Sequence, residues 1–276
     1  MDSTKKMHHC LPITIGIPRS NPDATCYKMK RNGVISILIT LALLIITTSF
    51  TPPVEKAKLY IHIEHYAGLQ PLQLDTVYYK NELGQTFTVS RFRYYISNIK
   101  LKSNNGAEVS LPGYFLVDEE DDESKSITLG NVPVGNYSSV QFIIGVDSLH
   151  NCSGAQSGAL DPVNGMFWTW NTGYIFLKLE GHADASTSPG HIFEYHIGGY
   201  AAPNNCIRKV ELDFGKKGLT ISDHKDNGIA LKADVLQILK SPATIDFSKL
   251  SSVTDFHHAT TIADNYADMF TINADE

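Results

Sequence analysis

Two-residue alternation of apolar and polar side chains runs through most of this chain and restricts it to a β architecture. From Lys58 to Tyr66, Leu59, Ile61 and Ile63 fall on one face while Tyr60, His62, Glu64 and Tyr66 fall on the other, the signature of a half-buried strand. His65 continues the apolar row, whereas His62 points away from it. The pattern recurs in Thr86 to Val89, Tyr94 to Leu101, Tyr114 to Val117, Ser139 to Val146, Tyr174 to Leu179, Ile207 to Leu212 and Gly228 to Leu239. Turn signals separate these runs: Asn81-Glu-Leu-Gly84, Asn104-Asn-Gly106, Pro112-Gly113 and Val134-Gly-Asn136. No recurrent helical pattern lies between them, so the sequence predicts an all-β antiparallel sandwich and not a parallel α/β sheet. Helix is expected only near the end, around His258 to Phe270.

The first fifty residues do not share this pattern. Met29 is followed by Lys30-Arg31, an apolar run from Val34 to Ile46 broken only by Ser36 and Thr40, then Thr47-Thr48-Ser49 and Pro52-Pro53, which is a secretory signal layout. The run falls short of the ~20 residues that cross a hydrocarbon core, so export is expected, with membrane contact only if the segment stays uncleaved. The expected organisation is a non-structural or untranslated leader over 1–28, a signal peptide over 29–50 and one sandwich domain over 51–276. No cysteine directly follows the apolar run, which disfavours a lipid anchor.

Residues 1–50 hold six of the 23 basic and two of the 29 acidic residues, so the remainder carries 17 against 27, a formal charge of −10. That balance argues against nucleic acid as a partner. It leaves Cys152 and Cys206 as the only cysteines in an exported chain, where a disulfide is the expected state over free thiols or a metal role. The bridge would close a loop of about 50 residues and stabilise by ~4 kcal/mol on the chain-entropy account. The acidic run Asp118-Glu-Glu-Asp-Asp-Glu123 reads as a solvated loop, because its spacing fits no calcium loop.

Catalytic signatures are missing from the sequence: no Gly-x-Ser-x-Gly, no His-Glu-x-x-His, no phosphate-cradling glycine loop and no Cys-x-x-Cys. A non-enzymatic protein is expected. His62, His65, His191 and His196 are the imidazoles that could serve a metal, with His257-His258 read as an exposed loop pair. Spacings of three and five residues put strand neighbours on opposite faces, so a site must draw one histidine from each of several strands. The two tryptophans, Trp168 and Trp170, sit one residue apart before an alternating strand. They fit a core anchor, a stacking platform for a sugar, or a redox-modified metal ligand.

Phe92-Arg-Tyr-Tyr-Ile-Ser-Asn-Ile-Lys-Leu101, Gly145-Val-Asp147, Gly158-x-Leu-Asp-Pro-x-x-Gly-Met-Phe-Trp-Thr-Trp-Asn-x-Gly-Tyr174, Leu179-Glu-Gly181 and Tyr195-His-Ile-Gly-Gly199 together resemble the MbnP-like family of exported bacterial proteins, from about Lys58 onward. The resemblance implies a periplasmic or secreted copper-binding protein of a Gram-negative bacterium. It further implies that a partner di-haem peroxidase-like enzyme of the MbnH type oxidises a tryptophan to kynurenine, which then binds copper beside histidines. On that basis the expected metal residues are His65, His196, Trp168 and Trp170, with His62 and His191 as second choices and Trp168 favoured for modification. One departure stands out: related copper proteins carry a histidine two residues after the modified tryptophan, and position 170 here is Trp. The alternative is a non-enzymatic extracellular module that reads a glycan or another ligand with its aromatic surface.

Overall fold

The computed structural model describes residues 54–168, 173–256 and 258–273. The expected leader and signal peptide, Trp170 and His257 lie outside the described residues. Two sheets pack into a curled sandwich. In chain order the strands are β1 (Lys56–Ala67), β2 (Gln70–Pro71), β3 (Tyr79–Lys80), β4 (Thr86–Ser103), β5 (Glu108–Asp118), β6 (Ser126–Pro133), β7 (Gly135–Ile144), β8 (Phe167–Trp168), β9 (Gly173–Ala183), β10 (Ile192–Gly198), β11 (Arg208–Asp213), β12 (Leu219–Ile221), β13 (Asn227–Asp234), β14 (Ser252–Val253) and β15 (Phe270–Ile272).

The smaller sheet runs β15-β13-β1, with β6 and β2 also on β1, and the larger runs β11-β7-β4-β9-β10-β14. Alternation in β1 buries Leu59, Ile61, Ile63 and His65 and leaves His62 exposed. The layers meet through aromatic side chains: Phe270 of β15 lies edge-on to Phe142 at 5.0 Å and to Tyr94 at 5.6 Å. Each such ring contributes about 1.5–3 kcal/mol when fully buried.

The central strand β4 positions the site. Its first half, Phe87 to Tyr94, pairs with β9, and its second half, Ile96 to Ser103, pairs with β7. Its opposite edge pairs with β5 from Arg93 to Lys102. β7 and β9 therefore share one edge of β4 and part at Tyr95, whose carbonyl accepts from Gly145 N–H at 3.0 Å. Gly145 has φ +119°, and a Cβ there would lie 2.8 Å from the Phe176 ring, so glycine lets β9 bulge past the end of β7.

The all-β sandwich is as expected, with differences in detail. The sheets are mixed and not purely antiparallel, because β1 pairs with β13 and β10 with β14 in parallel. Alternation fixes which face of a strand is buried but leaves its neighbour and direction open. The two runs expected at 86–89 and 94–101 are one continuous strand. The run expected at 228–239 ends at Asp234, whose carboxylate caps a short helix, Val235–Ile238, by accepting from Leu236 N–H. The C-terminal helix is present over Ala259–Tyr266. No helix among the described residues is long and apolar enough to cross a membrane.

Candidate functional site

Trp168 is held where the β7/β9 split opens. Two tyrosines from the split fix the irregular segment that leads to it: Tyr95 donates from its hydroxyl to Ala159 O at 2.9 Å, and Tyr174 donates to Leu160 O at 2.8 Å. Asp161 then caps the turn Pro162–Asn164 by accepting from Val163 N–H at 2.9 Å. From there β8 pairs with the start of β9, Phe167 opposite Tyr174 and Trp168 opposite Gly173.

The indole rests on β10. A Cβ at Gly198 would lie 2.6 Å from the six-membered ring of Trp168, so glycine is required for this approach. Phe256 meets the indole edge-on at 5.9 Å. Beside it opens a pocket of about 310 Å³ lined by Asn151, Trp168, Gly173, Gly199, Tyr200 and Phe256, among others. Asn151 is buried and carries structural bonds, donating to Val146 O at 2.5 Å and accepting from Tyr174 N–H at 3.0 Å.

His196 is two residues before Gly198 on β10, half-buried where Gly198 is buried, and the pairing with β9 slips its register between Ile197 and Gly198. Its Nε2 lies 2.7 Å from Glu180 Oε1 on β9, while Arg91 of β4 donates to Glu180 Oε2 at 3.0 Å. The His196 hydrogen bond, more than the nearby Arg91 and Lys178 charges, holds the Glu180 carboxyl below its usual range. A carboxylate on Nε2 selects the tautomer that leaves a lone pair on Nδ1, and Nδ1 has no hydrogen-bond partner among the described residues.

The other expected ligands lie elsewhere. His65 is buried in the smaller sheet's layer with both nitrogens engaged, Nδ1 at 2.6 Å from Glu119 and Nε2 at 2.8 Å from Tyr94 OH. Burial lowers its pKa, with Glu119 opposing; Nδ1 donates to Glu119 and the lone pair on Nε2 accepts from the Tyr94 hydroxyl, so both nitrogens are already occupied. His62 is exposed on the opposite side of β1 and pairs with Ser126 Oγ at 3.2 Å. His191 sits beyond the far end of β9, next to His182. Trp170 and His257 fall outside the described residues, and His258 stands at the start of the C-terminal helix. Among the described residues no three His, Cys, Asp or Glu side chains gather at one point.

The Cys152–Cys206 bridge is corrected: both thiols are free, Cys152 exposed and Cys206 buried. Cys206 Sγ instead faces Asn204 O at 3.5 Å, and burial pushes its thiol up to about 12. The Cys152 thiol beside Tyr200 raises the Tyr200 hydroxyl above its usual range. Counting cysteines established a pairing partner but said nothing about where the two backbones lie.

Several residues escaped the sequence reading. Glu180 orients His196 from a diagonal cross-strand position, visible only once β9 and β10 are in register, with His196 opposite Lys178. Phe256, about 60 residues beyond β10, had no local signal at all. Asp147 gathers hydrogen bonds from the hydroxyl of Tyr114, from Asn98 at 3.3 Å and from His150 N–H at 3.1 Å. Against the cost of burial, those bonds hold its carboxyl at about 2. The acidic run is a connection, as expected, but Glu119 within it is the partner of His65 and of Lys125 at 3.3 Å.

Fold and site together define an all-β sandwich with an indole-walled pocket at one end of its larger sheet. The MbnP family profile matches residues 56–257, and the chain belongs to the MbnP family. MbnP from Methylosinus trichosporium is a structural relative at 13% identity and TM-score 0.45, covering 71% of this chain and 80% of that one. Comparison with curated proteins returns no match.

Proposed function

We propose that this protein is an exported copper-binding member of its family, whose site is built on Trp168 and His196 and completed when a partner di-haem enzyme oxidises the indole. The observation that supports this reading is that the indole and an oriented imidazole meet the same strand. Gly198 of β10 carries the indole and His196 lies two residues away along that strand, a Cα separation of about 7 Å. Its Nδ1 lone pair is kept available by the Glu180 bond on Nε2.

An intact indole is a poor ligand, which is why oxidation matters. Two equivalents of peroxide, activated by the partner, cleave the C2–C3 bond and leave one oxygen on each carbon; four electrons leave the indole and two waters are released. Hydrolysis of the resulting formamide releases formate and exposes an aniline amine beside a ketone. Copper would take imidazole and amine nitrogen as ligands suited to it, and the enclosing strands would set their geometry. This chain is the substrate and carrier in that scheme, and the catalyst is its partner. Export follows from the segment 29–50.

A glycan platform is less well supported, because stacking needs an open ring face. Trp168 is only 6% exposed, between Gly198 and Phe256.

Co-production with a di-haem peroxidase-like enzyme is expected to give a tryptic peptide in which Trp168 has exchanged one carbon for one oxygen. Trp168→Phe should abolish the change. His196→Ala is expected to lower copper affinity of the modified protein by about 100-fold and Glu180→Gln by about 10-fold, read by competition with a chromogenic chelator. An unmodified Trp168 peptide, or copper affinity indifferent to His196, would overturn the proposal.

A further inference from the structure

A pair of imidazoles lies at the opposite end of the larger sheet. His182 stands near the end of β9, opposite Ile192 in the β9/β10 register, and His191 closes the turn that joins the two strands. Their rings are 5.7 Å apart between centroids and inclined by 61°. An ion held by two imidazole nitrogens at about 2.0–2.1 Å places ring centroids about 5–6 Å apart for tetrahedral or wider angles, so this spacing suits a shared ion.

The turn fixes one ring and leaves the other adaptable. His191 Nδ1 donates to Ser186 O at 2.9 Å, which sets the tautomer with its lone pair on Nε2. Ser186 is itself buried, and its hydroxyl donates to Ile192 O at 2.6 Å and accepts from Ser188 N–H at 3.2 Å, so the carbonyl that orients His191 is locked in the turn. His191 also adopts φ +55°, a left-handed backbone uncommon for residues other than glycine. Among the described residues the His182 ring makes no side-chain hydrogen bond, and its Nδ1 lies 3.9 Å from Asp184 Oδ1. Both of those side chains are open to solvent, at 46% and 76% exposure, so an incoming ion displaces only water and no structural bond.

We infer that His182 and His191 form a surface site for a divalent transition-metal ion of the zinc or copper type, with Asp184 as the nearest anionic group and water filling the remaining positions. A backbone carbonyl behind one imidazole is the arrangement that orients metal-bound histidine elsewhere. Trp168 pairs with Gly173 at the other end of β9, about 30 Å away, so the two sites are separate and this inference does not rest on the copper reading above.

Zinc is the probe, because its binding does not require tryptophan oxidation. Calorimetric titration of the untagged full chain with Zn²⁺ is expected to show one equivalent bound at micromolar Kd. His182→Ala and His191→Ala should each weaken that binding by about 10-fold or more. His196→Ala should leave it unchanged, which separates this site from the one at Trp168. Both substituted residues are exposed, and an unaltered far-ultraviolet circular dichroism spectrum would establish that the variants fold. Binding unaffected by either substitution, binding lost in only one of them, or no binding at all would overturn the inference.

Discussion

His65→Ala is expected to lower the unfolding free energy by about 3 kcal/mol, more than any substitution at an exposed histidine. The loss has three parts: a buried ring leaves a cavity, the Tyr94 hydroxyl loses its acceptor inside the core, and Glu119 is left with Lys125 as its side-chain partner among the described residues. The same residue sets a pH dependence. Its folded pKa lies below the ordinary 6.5, so between those two values the unfolded chain binds the additional proton. Stability therefore rises with pH through that window, is fully present above 6.5 and is lost as pH falls toward the folded value. Urea unfolding at pH 7.5, 6.5 and 5.5 should show this slope in the parent and a flatter one in His65→Gln. Equal slopes would show that His65 is not held neutral.

Gly198→Ala is expected to cost about 3 kcal/mol and to disturb the indole directly. The added carbon would stand 2.5 Å from Tyr174 O and 2.6 Å from the Trp168 ring. The carbonyl belongs to β9 and cannot yield without breaking the β8/β9/β10 arrangement, so strain falls on the hairpin and on the ring that rests against β10. In a Trp170→Phe background, emission from Trp168 should shift to the red as the ring gains water, with a parallel fall in urea midpoint. A variant with unchanged emission and stability would show that Trp168 is not seated on Gly198.

The layer structure was legible because its signal is local. Alternation in β1 correctly put His62 outside and His65 inside, and the helix near Ala259 was visible from its pattern. What escaped depends on register between distant segments. Alternation places His65 on the inward row of β1. The same inward position brings it to Glu119 and Tyr94, 54 and 29 residues away, which occupy both nitrogens. His196 was chosen for its place in a family-like stretch, and its orientation by Glu180 needed the pairing of β9 with β10. The parallel pairing of β1 with β13 joins segments about 170 residues apart, and no turn signal announces a partner at that range.

Because β4 pairs with β9 along its first half and β7 along its second, and with β5 on its opposite edge, its middle is hydrogen-bonded on both sides and joins the two halves of the larger sheet through one backbone. Amide protons on that strand are expected to exchange only in whole-molecule opening events and to be among the slowest in the protein. Material that has lost its grip on the indole would then still give one sharp melting transition, so a cooperative melt says nothing about whether the pocket at the sheet's end is intact.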